Sequence, residues 1–129
     1  MKTTKQLGIW MDHSVAHLME LSSGLMMTIT IDSKPELNLN EADLYYKDDS
    51  QRLNKEQRKL LAFFNKLREV IIDYDKVILF GPTDAKTELF NFLKEDHHFE
   101  KIKIEMQTTD KMTDNQMQAF TKEYFTHSN

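Results

Sequence analysis

The chain has 129 residues, a formal net charge of -4 and no cysteine. This length suffices for one domain with its own core, without disulfides or a structural metal. The missing cysteines exclude disulfides, zinc-thiolate sites and thiol nucleophiles. The acidic balance excludes a global attraction to nucleic acid, so any such binding needs a local basic patch.

In chain order, residues 1–6, "MKTTKQ", lack the apolar run of a signal peptide. No apolar stretch approaches the roughly 20 residues that span a bilayer. The expectation is a soluble, cytoplasmic chain with no membrane partner. "LGIWMDHSVAHLMEL" (7–21) holds two strand-like runs around a polar break. Asp12-His13-Ser14 is the expected turn, because short polar side chains bond their own backbone there. Gly24 marks a second turn, and "LMMTITI" (25–31) is β-branched and apolar enough for a third strand. These three strands form an antiparallel meander.

From 32 to 54 the chain turns polar, with one proline and no sustained period. Such a stretch is a variable segment, functional or mobile. A helical period resumes at 55–72, where Leu60, Phe64, Leu67 and Ile71 share a stripe and Asn54 is the expected N-cap. "KVILFG" (76–81) reads as a strand covered on both faces. A helix over about 84–95 follows, with Ala85, Leu89, Phe92 and Leu93 inward. "KIKIEMQ" (101–107) alternates as a strand, and Thr113 or Asp114 caps a last helix presenting Met117, Phe120 and Tyr124. The order β-β-β-α-β-α-β-α defines a single α/β domain over residues 1–129, with a mixed sheet and the element order of ribonuclease-H-like folds.

Several constellations bear on chemistry. Two-metal nucleases need converging carboxylates. Asp12 after the first strand, Glu69 or Glu56 on the first helix and Asp84 after the fourth strand are a loose match. Asp12 fits better as a turn residue, and Asp84 as a cap for the helix it opens. His13 and His17 lie across a turn, while His97 and His98 adjoin a helix end, and neither pair has a third ligand at metal spacing. No metal, cofactor or catalytic residue is expected. "FGPTDAK" lacks the glycine series of a phosphate-wrapping loop. Gly81, Pro82 and Asp84 are therefore read as a structural corner. Arg52, Lys55, Arg58, Lys59, Lys66 and Arg68 stand against Glu56 alone between 52 and 68. They form either a solvated helix face or a phosphate-contacting patch.

"LGIWMDHSVAHLMEL" resembles the entry hairpin of the middle domain of archaeal and eukaryotic peptide-chain release factors and of Pelota, through Asp12, Ala16 and Leu21. "KVILFGPTDAKTELFNFL" resembles that domain's next landmark, through Gly81, Pro82, Lys86 and Phe90. The likeness is greatest to its small bacterial relatives, filed as translational machinery or host-attachment proteins, and spans residues 6–125. It implies a ribonuclease-H-like layer and a role on ribosomes. Release factors carry Gly-Gly-Gln for peptidyl-tRNA hydrolysis, whereas Gly8, Gly24 and Gly81 are the only glycines here and none are adjacent. Pelota also lacks that motif and acts on ribosomes without the hydrolysis. The leading expectation is a non-catalytic module that binds RNA or the ribosome through Arg52, Lys55, Arg58, Lys59 and Lys66. The alternatives are a metal-dependent nuclease, or a protein-interaction module using Tyr45 and Tyr46.

Overall fold

A computed structural model of the chain describes residues 4–22, 24–33 and 55–127. Asn54, Tyr45, Tyr46 and Arg52, each given a role above, lie outside the described residues. The strands are β1 (Gln6–Met11), β2 (Val15–Ser22), β3 (Leu25–Asp32), β4 (Lys76–Gly81) and β5 (Lys103–Thr108). The helices are α1 (Lys55–Ile71), α2 (Ala85–Lys94) and α3 (Asp114–His127), with a short 3-10 turn at His97–Phe99.

The strands form one sheet in the order β3-β2-β1-β4-β5. The first three are antiparallel, with Ile9 opposite Leu18 and Leu18 opposite Ile29. The pairings β1–β4 and β4–β5 are parallel, with Ile9 beside Leu79 and Leu79 beside Met106. This is the α/β, ribonuclease-H-like arrangement with a mixed sheet that the element order implies. The parallel pairs require crossovers, and α1 and α2 lie in them.

Side-chain alternation along the central strands sorts residues between two cores. Leu7, Ile9 and Met11 of β1, Ala16 and Leu18 of β2, and Val77 and Leu79 of β4 face α1 and α2. There they meet Phe63, Phe64, Leu67 and Ile71 of α1 and Ala85, Leu89 and Leu93 of α2. The opposite face presents Trp10, Met19, Ile78 and Phe80 to Met117 and Phe125 of α3. Because β1 and β4 are central and covered on both sides, their sequences run apolar without a break. The last strand departs from the expected alternation, since only Ile104 on β5 is half-buried and its neighbours are exposed. An edge strand with one covered side has fewer positions to bury.

Thr113 rather than Asp114 closes the start of α3. Its hydroxyl accepts from Gln116 N–H at 3.2 Å, and the Gln116 side chain accepts from Thr113 N–H at 2.9 Å. This reciprocal pair satisfies two backbone donors that the first helical turn leaves open.

Candidate functional site

The C-terminal ends of β1 and β4 lie side by side, which in open α/β sheets is the usual place for a site. At the end of β1, Asp12 Oδ1 accepts from Ser14 N–H at 2.7 Å and from Val15 N–H at 2.9 Å. The carboxylate thereby shapes the β1–β2 turn. At the end of β4, Gly81 has φ 147, and a Cβ there would lie 2.2 Å from the Met11 carbonyl oxygen. Only glycine lets β4 pass so close to β1 with that backbone angle. The next strand joins the same place, since Thr109 N–H donates to the Gly81 carbonyl at 3.0 Å.

Asp84 occupies the N-cap position of α2 with φ -80 and ψ 1, and its side chain makes no capping hydrogen bond. This corrects the expected role of its carboxylate. A capping side chain normally springs from extended backbone, which aims it back over the first amides. Asp84 is not extended. Thr83 does the work instead, its hydroxyl accepting from Ala85 N–H at 3.2 Å. Lys86 is 4% exposed and folds back so that Nζ donates to the Thr83 carbonyl. A hydrogen bond of 2.9 Å between His13 Nε2 and Glu88 Oε2 ties the β1–β2 turn to α2. The corner is thus closed on itself by its own side chains.

The three acids of the nuclease reading are split between the two ends of the sheet. Asp12 and Asp84 follow β1 and β4, whereas Glu69 sits two residues before the end of α1, which leads into the start of β4. Glu69 shares a cavity of about 210 Å³ with Arg68, Ile72, Asp96, His98 and Phe99. That cavity lies at the strands' N-terminal end, one strand length away, roughly 17 Å for five steps of about 3.3 Å. The Glu56 side chain lies outside the described residues.

The histidines have a neighbour that sequence spacing missed. Asp96, His97 and His98 each offer a ligand atom, all within 4.8 Å of one another. Asp96 Oδ1 accepts from His98 N–H at 3.0 Å and sits 2.7 Å from His98 Nδ1, while Oδ2 lies 3.6 Å from the Arg68 guanidinium. These donors hold the Asp96 carboxyl below its usual range, the bonds from His98 leading. The two rings stack at 4.4 Å with 28° between planes. Arg68 adds a cation beside the Asp96 carboxylate.

Of the basic residues, Lys55 opens α1, and Arg58, Lys59 and Lys66 follow on it, all three half-exposed. At about 100° per residue, Lys55, Lys59 and Lys66 fall within about 40° of one another on the helix. Lys59 and Lys66 lie on a stripe beside the buried face, with Arg58 on the adjoining outer face, and the Lys55 side chain lies outside the described residues. Glu69 is exposed toward the C-terminal end of the same outer face. Arg68, counted with these cations in the sequence, instead lies over the Phe92 ring at 5.9 Å and near Asp96.

A further concavity lies between β5 and α3. This groove of about 440 Å³ is lined by Gln107, Phe120, Glu123, Tyr124 and His127. Phe80, Phe120 and Tyr124 form a run of stacked rings, with centroids 4.2 Å and 6.4 Å apart. The four-residue spacing of Phe120 and Tyr124 was the available signal. Both rings, expected on one face of the last helix, are half-buried at the groove.

No family model and no curated protein sequence matches the chain. Solved structures do. Pelota of Archaeoglobus fulgidus superposes with a TM-score of 0.59 at 14% identity, over 95% of this chain and 32% of that protein. Pelota of Thermoplasma acidophilum gives 0.57 at 12% identity, over 98% and 33%. The archaeal translation termination factor aRF1 gives 0.52 at 15% identity, over 95% and 40%. The chain thus spans about a third to two fifths of the proteins it matches, and at these identities the likeness is one of fold. It is nonetheless the fold of the two groups that the hairpin and corner motifs resemble. No helix among the described residues is long and apolar enough to cross a membrane.

Proposed function

We propose that the chain is a non-catalytic module of the translation machinery, akin to the small bacterial relatives of the release-factor middle domain, which contacts RNA phosphates on the ribosome. The observation that carries this reading is the fold likeness to Pelota and to a translation termination factor over nearly the whole chain. Without adjacent glycines the chain has no Gly-Gly-Gln tip, so binding rather than peptide release is the activity that transfers. The contacts are assigned to Lys55, Arg58, Lys59 and Lys66 on α1, with Arg52 preceding them. Lysine and arginine heads along a helix flank neutralise phosphates without reading bases, so affinity is salt-sensitive and weakly selective. Gly81, Pro82 and Asp84 serve as a corner that turns β4 into α2, not as a phosphate cradle. The chain works in the cytoplasm and needs no cofactor.

The test is co-sedimentation with ribosomes and binding to ribosomal RNA fragments, at low and at moderate salt. The wild type should bind at about 50 mM salt and lose at least tenfold in affinity by about 200 mM. The double substitution Lys59→Glu and Lys66→Glu should weaken binding with the circular dichroism spectrum unchanged. Absence of binding at low salt, or a folded double variant that binds as the wild type does, overturns the proposal.

A further inference from the structure

Leu25, Met27 and Ile29 are 71%, 62% and 58% exposed, three of the most exposed large apolar side chains among the described residues. They project from the same face of β3, because strand residues two apart share a side. Their cross-strand partners fix which face this is. Ile29 lies opposite Leu18 and Ile31 opposite Ala16, and both partners belong to the core under α1 and α2. The stripe is therefore an outward continuation of that core, with Ile31 half-buried at its inner end. Among the described residues β3 is also a sheet edge, paired only with β2. The other face of β3 offers Met26, Thr28 and Thr30, so residues 25–31 hold no charge and no proline. Soluble proteins usually guard an edge with one or the other.

We propose that β3 is a self-association edge, pairing antiparallel with β3 of a second copy about a two-fold axis through Thr28. The axis stands normal to the sheet, so each face of one strand continues the same face of its partner. Met27 then opposes Ile29, and Leu25 opposes Ile31, on one face. On the other, Met26 opposes Thr30, and Thr28 meets itself. Every facing pair is apolar with apolar, or involves threonine, the kinds of cross-strand pair that stabilise sheets.

Charge placement agrees. The only charged residue of β3 is Asp32, and in this register it lies opposite Gly24 of the other copy. The two Asp32 carboxylates fall at opposite ends of the pairing, on the order of 27 Å apart for eight residues of antiparallel strand. A parallel pairing in register would set them side by side. Edge pairing brings each of the three exposed side chains against an apolar neighbour across the new strand pair, and the unpaired backbone groups of both edges are satisfied.

The test uses the full chain. Sedimentation velocity from low to high micromolar concentration should show a reversible monomer–dimer equilibrium. Met27→Glu and Ile29→Glu alter exposed side chains, so each should leave the far-ultraviolet spectrum unchanged and weaken dimerisation at least tenfold. The absence of native cysteine permits a second measurement. Thr28→Cys should form an intermolecular disulfide rapidly under mild oxidation, at a rate unchanged by dilution while the dimer persists. Lys101→Cys, an exposed control beyond the opposite edge, should cross-link only slowly. A wild type that stays monomeric throughout overturns the inference, as does a dimer indifferent to both glutamates. Equal cross-linking rates for the two cysteine variants would overturn it too.

Discussion

Thr121 of α3 sits directly over Gly8 of β1, so close that a Cβ on Gly8 would lie 2.4 Å from Thr121 Oγ1 and 2.6 Å from its Cγ2. Thr121 is fully buried, and its hydroxyl points to Met19 Sδ at 3.8 Å. The glycine is what lets α3 settle onto the sheet, bringing Met117 and Phe125 into contact with Trp10 and Phe80.

Gly8→Ala should therefore destabilise the fold by about 1–3 kcal/mol, as overpacking of a filled interior does. Thr121→Ala should recover part of that loss in the double variant, because it removes the two nearest atoms. Urea denaturation of the two single variants and the double one measures the coupling. Simple additivity would place the glycine's role elsewhere.

At the opening of α2, Thr83→Ala should lower stability by about 0.5–2 kcal/mol, the usual loss when a helix amide loses its side-chain acceptor. Asp84→Ala should change it by less than about 0.5 kcal/mol, since the carboxylate makes no capping bond. Thermal or chemical melts rank the two directly. The reverse order would restore Asp84 as the cap.

Tyr74 donates to Glu20 Oε1 at 2.6 Å, and partial burial, then this hydrogen bond, raises its phenol well above the usual 10. In the folded state the proton is held more tightly than in the unfolded chain, so the unfolded state ionises first. The stabilisation is complete below about pH 10 and is lost as pH rises beyond it. Melts from pH 9 upward should show this decline, and Tyr74→Phe should flatten it.

Purified protein should release no labelled peptide from programmed ribosomes, whether or not it binds them. The glycine backbone that can approach the reacting ester is absent from the sequence, and no glycines are adjacent to rebuild it. Measurable release would place the chemistry on side chains and refute the non-catalytic reading.

Much of the fold was legible in the sequence because its signals are local. The alternation in 7–21, the apolar run of 76–81 and the helical stripe of Leu60, Phe64, Leu67 and Ile71 each depend on neighbours within a few residues. So did the turn at Asp12, whose carboxylate reaches amides two and three positions on. Gly81-Pro82 likewise announces a sharp turn by backbone chemistry alone.

What required the tertiary structure was every relationship between distant parts of the chain. The sequence could not say that Glu69 lies at the opposite end of the sheet from Asp12 and Asp84, because that follows from strand direction and order. It could not divide the cores either. Trp10 and Ile9 are equally apolar, and only the placement of α3 against one face, and of α1 and α2 against the other, separates them. Thr83 and Asp84 are both good capping residues, and the choice turned on the backbone angles of Asp84, which are not extended. The apolar residues of 25–31 read as a third strand, and only the sheet order shows that β3 lies at the edge and leaves Leu25, Met27 and Ile29 in solvent. Local pattern determines what an element is, whereas exposure depends on which other elements come to rest beside it.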